Sequence, residues 1–263
     1  MTEPRIALAM TSFYENPDTL RCQQAAETAT LAKEAGYEVV IVDGSKNPAV
    51  AEHLRRAGAY VFSQFRPGMA SSRREAIEHA RRLINIPVKF GMLRMNIILW
   101  TEEKPFIVQE VPKIVAPLFD HDAVAVIAKR SEASFATWPQ FQAQSEHAAN
   151  RVYNEVTERA SDPMFGPVAF LIGFSEYFSK CHPEAYGVSP FAAGYIQHFG
   201  TLELIAARFH VADSEPLDVM YPPAQKEQEE TLLIGEMLEK RQRQMEELSE
   251  GYHIAAQALD IHP

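Results

Sequence analysis

Val39-Val40-Ile41-Val42-Asp43-Gly44-Ser45 is the stretch on which the fold turns. Four β-formers run directly into an acid, a glycine and a hydroxyl. The run is apolar at every residue, the pattern of an inner strand in a parallel sheet covered on both faces. Ligands of open α/β sheets bind beyond the carboxyl ends of such strands, and Asp43 stands there. Many strands end in Asp-Gly for turn reasons alone, so the neighbouring segments carry the weight.

Upstream, Ile6 to Met10 is a short apolar run that empties into Thr11-Ser12-Phe13-Tyr14-Glu15-Asn16. Asp18 or Thr19 is placed to cap a helix from about Thr19 to Glu34, and Gly36 to stop it. With the Val39–Val42 strand these segments form a βαβ unit. Downstream, a helix from Asn47-Pro48 to about Ala57 leads to a third strand, Ala59 to Ser63. Pro67 and Gly68 mark a loop before a helix capped by Ser71 or Ser72 and running through Leu83. A fourth strand, Met95 to Trp100, follows a stretch broken by Pro87 and Gly91.

The second half is expected to begin with a helix from Phe106 to Phe119 and a strand from Ala123 to Ala128. A long helix from Gln140 to Glu158, a turn at 162–167 and a strand from Val168 to Gly173 come next. A short helix near Ser175 to Cys181, a helix from Thr201 to Phe209 and a late strand from Leu217 to Tyr221 complete it. Pro190 to Gly200 reads equally as a site wall or a packed connection. Beyond Pro222-Pro223, Ala224 to Ser249 is helical and charged, with Leu232, Leu233, Met237, Leu238, Met245 and Leu248 as an incomplete apolar face. That face suits packing on the domain or pairing with a second copy, making a homo-oligomer through the C-terminal helix one expectation.

The whole reads as α/β, a mostly parallel central sheet flanked by helices with a C-terminal helical extension. At 263 residues and 46% apolar content the chain can fill a sizeable core. A net charge of −10 argues against a general nucleic-acid surface. Cys22 and Cys181 make neither a disulfide framework nor a metal site by themselves. Met1-Thr2-Glu3-Pro4-Arg5 lacks the features of a signal peptide, and no run approaches a membrane span. A soluble cytoplasmic protein with no integral membrane segment is the expectation.

If the first strands are parallel, the loops at 13–16, 43–45, 65–70 and 101–104 converge on one edge. Their chemistry suits a nucleotide with a diphosphate. Asp43 can accept from a ribose hydroxyl or a base NH, and Glu15 and Asn16 can help place either group. Arg66 can grip diphosphate oxygens as a fork, with Arg73 as a second candidate. Glu102 and Glu103 can ligate Mg2+ or Mn2+ through hard oxygens. The plainer readings are a turn acid at Asp43, a surface arginine at Arg66 and core aromatics at Trp100 and Trp138. The chain has no Gly-x-x-x-x-Gly-Lys-Ser/Thr loop, no Gly-x-Gly-x-x-Gly after the first strand and no Gly-x-Ser-x-Gly elbow. His147, His182, His198 and His210 lack a zinc-ligand spacing.

In order and spacing, Thr11 to Asn16, Val39 to Ser45 and Arg66-Pro67-Gly68-Met69-Ala70 resemble the nucleotide-sugar-binding half of GT-A glycosyltransferases. The groups they are most similar to are polyprenyl-phosphate sugar transferases and mannosyl- or glucosyl-glycerate type synthases. Asp162 to Phe170 is similar to the Asp-x-x-x-Gly-x-x-x-Phe acceptor-side turn, and Tyr221-Pro222-Pro223 with Gln225 to the late Tyr-x-x-Pro-x-x-Gln run. The resemblance spans roughly residues 5 to 226.

It implies a GT-A-like domain over 1–223, with a donor half at 1–130 and an acceptor half at 131–223, and an extension at 224–263. Phe13, Glu15, Asp43 and Ser45 would hold the nucleoside, Arg66, Gly68 and Arg73 the diphosphate, and Asp162 would lie near the reaction centre as base. The implied partners are a nucleoside diphosphate sugar and a small, glycerate-like or phosphorylated acceptor. The family's metal-binding Asp-x-Asp is here Thr101-Glu102-Glu103-Lys104. Glutamate reaches further than aspartate, and Lys104 offers a positive charge where a metal otherwise stands. Two alternatives remain open: a nucleotidyltransferase on a similar sheet, and a sugar-nucleotide-binding protein without turnover.

Overall fold

The computed structural model describes residues 4–85, 95–120, 122–231 and 234–261. The first half alternates strand and helix. It comprises β1 (Ile6–Ser12), α1 (Leu20–Glu34), β2 (Glu38–Asp43), α2 (Pro48–Arg56), β3 (Tyr60–Ser63), α3 (Met69–Ile84) and β4 (Ile97–Trp100). After β4 come α4 (Ile107–Val115), α5 (Pro117–Asp120), β5 (Ala125–Arg130), α6 (Glu132–Phe135) and α7 (Gln140–Thr157). The chain closes with β6 (Val168–Leu171), α8 (Glu176–Ser179), α9 (Ile196–Ala206), β7 (Val211–Leu217), α10 (Pro223–Thr231) and α11 (Ile234–Ala258).

One seven-stranded sheet orders these strands β3-β2-β1-β4-β6-β5-β7. β3, β2, β1 and β4 are mutually parallel, with Ser12 opposite Asp43 and Asp43 opposite Ser63. β6 runs antiparallel between β4 and β5. Chain order reverses at β1, whose neighbours are β2 and β4, so the loops leaving them part and open a crevice at their carboxyl ends.

The apolar run of β2 behaves as an inner strand should. Val40 and Val42 face one core with α3, α9 and α11, while Val39 and Ile41 face the other with α1, α2 and α4. All four are at most 1% exposed, each stabilising the fold by about 1.5–3 kcal/mol relative to an exposed side chain. Thr19 caps α1 by accepting from the Cys22 amide, and Asn47 caps α2 from Ala49.

Several boundaries differ from expectation for local reasons. α3 begins at Met69 with Gly68 as its cap, at φ 102°, and Ser72 Oγ bonds back to the Met69 carbonyl instead of capping. The 106–119 helix is divided into α4 and α5 at Ala116-Pro117, with Pro112 inside α4. The late strand is Val211–Leu217, not 217–221, because Val211 and Ala212 pair with β5 and are buried whereas Met220 is exposed. α9 starts five residues before Thr201 and carries Gly200 against the α8 backbone, where a Cβ would lie 2.8 Å from the Tyr177 carbonyl.

The C-terminal extension is two helices. α11 continues past Ser249, and its Leu248, Tyr252, Ala255 and Ala256 are buried in the chain's own core. That part of its apolar face is covered without a second copy. Leu232 and Leu233, and the stretch 86–94, lie outside the described residues. No helix among the described residues is long and apolar enough to cross a membrane.

Candidate functional site

The carboxyl ends of β1 to β4 meet at a cleft of two connected chambers, of about 430 and 380 Å3. Phe13, Tyr14, Arg21, Glu102, Tyr195 and Lys240 border both. The first chamber lies over β1, β4 and the start of α3. The second extends between α7, α9 and α11.

Asp43 closes β2 almost fully buried. Its Oδ1 accepts from Ser12 Oγ at 2.8 Å, Ser45 Oγ at 2.6 Å and the Ser45 amide at 3.1 Å. Ser45 Oγ in turn accepts from the Tyr14 amide at 2.8 Å. The loops after β1 and β2 are thereby tied into one rigid corner. Gly44 packs closely there: a Cβ would push the Gln64 side chain aside and come within 3.2 Å of Phe13 Cδ2. Phe13 lies at this corner 74% exposed, an aromatic residue open to a ligand. Glu15 is exposed on the rim of the second chamber.

The Thr101–Lys104 segment is electrostatically crowded. Glu103 is buried, accepting from Tyr14 Oη and, at 2.9 Å, from Arg21 Nη2. Burial, then the Glu103 charge, pushes the Tyr14 phenol well above its usual range, and Glu103 holds Arg21 more firmly protonated. Glu102 is half-buried, with its Oε2 3.2 Å from Lys104 Nζ. Burial alone would raise its pKa, but Lys104, Arg73, Arg21 and Arg241 outweigh it and keep the carboxylate ionised.

This donor set does not fit a divalent ion. One carboxylate is engaged by a phenol and a guanidinium, the other is ringed by cations, and no cluster of three potential ligands exists among the described residues.

Arg73 enters from α3 and is buried between the Trp100 and Tyr195 rings, 5.0 and 4.8 Å from their centroids. Its Nη1 donates to the Gly194 carbonyl and Gln197 Oε1, each at 3.0 Å, and its Nε has no partner among the described residues. Desolvation lowers its pKa. Gly68 borders the first chamber, but Arg66 does not. Glu75 accepts from the Phe65 and Arg66 amides at 2.8 and 2.9 Å, and the Arg66 side chain lines an outer groove with Arg74 and Arg82.

Asp162 lies outside the central cleft, in a groove beside α7. Its Oδ2 accepts from the Arg130 amide at 3.1 Å and Arg130 Nε at 2.8 Å; its Oδ1 accepts from Arg130 Nη2 at 2.8 Å and Asn150 Nδ2 at 2.6 Å. Arg130 also binds Glu146 at 2.6 Å and stacks on Phe135 at 3.9 Å. Burial opposes its charge, yet Glu146 and Asp162 keep it more firmly protonated than usual.

The structure thus brings Phe13, Gly68, Arg73, Glu102 and Glu103 to the first chamber, with Asp43 and Ser45 forming the adjoining corner. It leaves Arg66 and Asp162 outside. Sequence reading missed Tyr14, Arg21, Tyr195, Lys240 and Arg241. The last two come from α11, and nothing in the charged spacing of that helix identifies which cations face a cleft. His198 reaches the second chamber, buried, with Nδ1 2.7 Å from Tyr252 Oη. Burial and then Arg73 lower its pKa to about 3.

No protein-family model matches the chain, and no curated protein matches its sequence. Solved structures do. Glucosyl-3-phosphoglycerate synthase from Mycobacterium tuberculosis with Mn2+, UDP and phosphoglyceric acid superimposes with a TM-score of 0.53 at 13% identity, covering 92% of this chain and 78% of that one. The same enzyme with UDP gives 0.51 at 14% identity, over 95% and 80%. With Mn2+, UDP-glucose and phosphoglyceric acid it gives 0.50 at 15% identity, over 90% and 79%. The chain has a GT-A-like fold, a mostly parallel sheet flanked by helices with a C-terminal helical extension. At these identities the likeness speaks for the fold alone.

Proposed function

We propose that the protein is a glycosyltransferase that moves a sugar from a nucleoside diphosphate sugar to a small, glycerate-like or phosphorylated acceptor. The observation that carries this reading is the Asp43 corner, tied to Ser12 and Ser45 beside the open Phe13 ring, at the edge of a two-chambered cleft. The first chamber takes the nucleoside, with Phe13 against the base and Asp43 and the Ser45 hydroxyl near the ribose, while Glu15 stands apart on the rim of the second. The second takes the diphosphate at its border with the first and the acceptor beyond it. The likeness of fold to a synthase solved with UDP and phosphoglyceric acid supports a nucleotide and a small acceptor as the pair of ligands.

In the reaction, the bond from the anomeric carbon to the diphosphate oxygen breaks as the acceptor hydroxyl oxygen bonds to that carbon, its proton passing to the departing diphosphate. The electron pair leaves on the diphosphate, so cationic groups facing it stabilise the transition state. We assign Asp162 to holding Arg130 and the 162–167 turn, since all four hydrogen bonds it accepts are structural. The division at residue 223 is one of chain order only, because α11 supplies a wall of the cleft.

Incubation with UDP-, GDP- and ADP-sugars, each with and without glycerate or phosphoglycerate, tests this reading. Acceptor-dependent release of a nucleoside diphosphate is expected. A second reading, a sugar-nucleotide-binding protein without turnover, draws on Glu103 and Asp162 both being engaged. Binding without release in any acceptor arm would select it.

A further inference from the structure

A diphosphate in this cleft needs positive charge, and the Glu102–Glu103 pair does not fit a metal that would supply it. Cations stand in that place instead. Arg21 from α1, Lys104 after β4, and Lys240 and Arg241 from α11 all border the second chamber, as Glu102 does. Arg21 and Lys240 also border the first chamber beside Glu102 and Glu103. Lys104 Nζ is 3.2 Å from Glu102, and Arg21 Nη2 is 2.9 Å from Glu103. Arg241 is mostly buried, its Nε without a partner among the described residues. Lys240 is exposed at the mouth.

Other carboxylates line the cleft as well. Glu146 is bound by Arg130 at 2.6 Å, with Arg241 Nη1 3.7 Å away. Glu229 Oε1 accepts from Gln225 Nε2 at 2.9 Å, its Oε2 is buried without a partner among the described residues, and Glu15 is exposed at the rim.

We propose that a nucleoside diphosphate binds here without a divalent metal, its phosphate oxygens held by Arg21, Lys104, Lys240 and Arg241. The C-terminal helix is then part of the ligand site. The proposal rests on the sugar-nucleotide reading above and extends it to the means of charge neutralisation. A dication beside Glu102 meets the repulsion of the cations around it, whereas a diphosphate is attracted by all of them. Lysine and arginine give this charge in different forms, a mobile ammonium and a planar fork, and both suit phosphate oxygens. Glu102 and Glu103 become positioning residues, holding Lys104 and Arg21 in the cleft until the phosphates arrive. Desolvation, and then the charges of Arg241 and Arg21, lower the Lys240 pKa.

Calorimetric titration of UDP, GDP and ADP into the full chain, first in EDTA and then in excess Mn2+, tests this. At least one nucleotide is expected to bind in EDTA, with Mn2+ changing its Kd less than about threefold. Lys240→Ala, at an exposed position, is expected to weaken binding about five- to tenfold. Glu102→Gln gives a sign test, because removing a negative charge while the cations stay should tighten binding by about three- to tenfold. A metal ligand would behave in the opposite way. Binding only in Mn2+, or weakened binding in Glu102→Gln, overturns the proposal while leaving the sugar-nucleotide reading intact. Unchanged affinity in Lys240→Ala overturns the role of the C-terminal helix. No binding by any nucleotide in either condition overturns both this proposal and the reading beneath it.

Discussion

Asp162 and Arg130 form a closed unit: the carboxylate accepts the Arg130 amide, Nε and Nη2 at 3.1, 2.8 and 2.8 Å. Asn150 supplies a fourth bond at 2.6 Å, and neither charged side chain is more than 4% exposed. The pair joins the end of β5 to α7 and to the turn that precedes β6.

Asp162→Ala is expected to destabilise the protein by about 3–5 kcal/mol, since it leaves a buried guanidinium with Glu146 as its remaining carboxylate partner. Urea denaturation measures this. If stability is unchanged while sugar transfer is lost, Asp162 acts in the chemistry and the structural assignment fails.

Asp43→Ala should remove the acceptor shared by Ser12 and Ser45, loosening the corner and costing about 1–3 kcal/mol. Nucleotide affinity should fall with it. Asp43→Asn keeps an acceptor oxygen and should retain most of the stability while binding nucleotide more weakly. Equal affinities for Asn and wild type in calorimetry would remove the Asp43 charge from nucleoside recognition.

Arg73→Met retains an apolar stem but loses the stacking on Trp100 and Tyr195 and the bonds to Gly194 and Gln197. A loss of about 1–3 kcal/mol is expected, with a shift in the emission of Trp100. Unaltered emission together with unaltered stability would contradict the observed sandwich.

His198 makes stability depend on pH. Its folded pKa, about 3, lies below the ordinary value of 6.5 because of burial and then Arg73. As pH falls through 6.5 the unfolded chain takes up a proton that the folded chain refuses, so stability declines until the pH approaches 3. The slope from this group is at most about 1.4 kcal/mol per pH unit. His198→Gln should flatten the dependence between pH 6 and 4, within the window set by those two values. Parallel stability curves for variant and wild type would show that His198 is not the group responsible.

Much of the sheet was legible in the chain because its signals are local. The apolar run before Asp43 can be stable only when covered on both faces, and Gly36 and Gly58 stop helices at positive φ, 82° and 104°. The late strand was misplaced because β7 gains its identity from pairing with β5 across a register shift, and its own pattern of burial is irregular. The start of α3 was placed late because Gly68 caps it through backbone conformation, without the side-chain bond that a serine signature leads one to expect.

For the site, the sequence by itself determined a corner at the sheet's carboxyl edge: an inner strand must end at an edge, and Asp43-Gly44-Ser45 closes that strand. Only the tertiary structure decided which charges share the cleft. Arg66 is drawn away because Glu75 holds its loop by the backbone, and Asp162 is taken up by Arg130. Lys240 and Arg241 arrive beside Glu102 from more than 130 residues further along the chain. Strand ends follow from short-range patterning. Charge complementarity is a property of groups brought together in space, and no spacing along the chain encodes it.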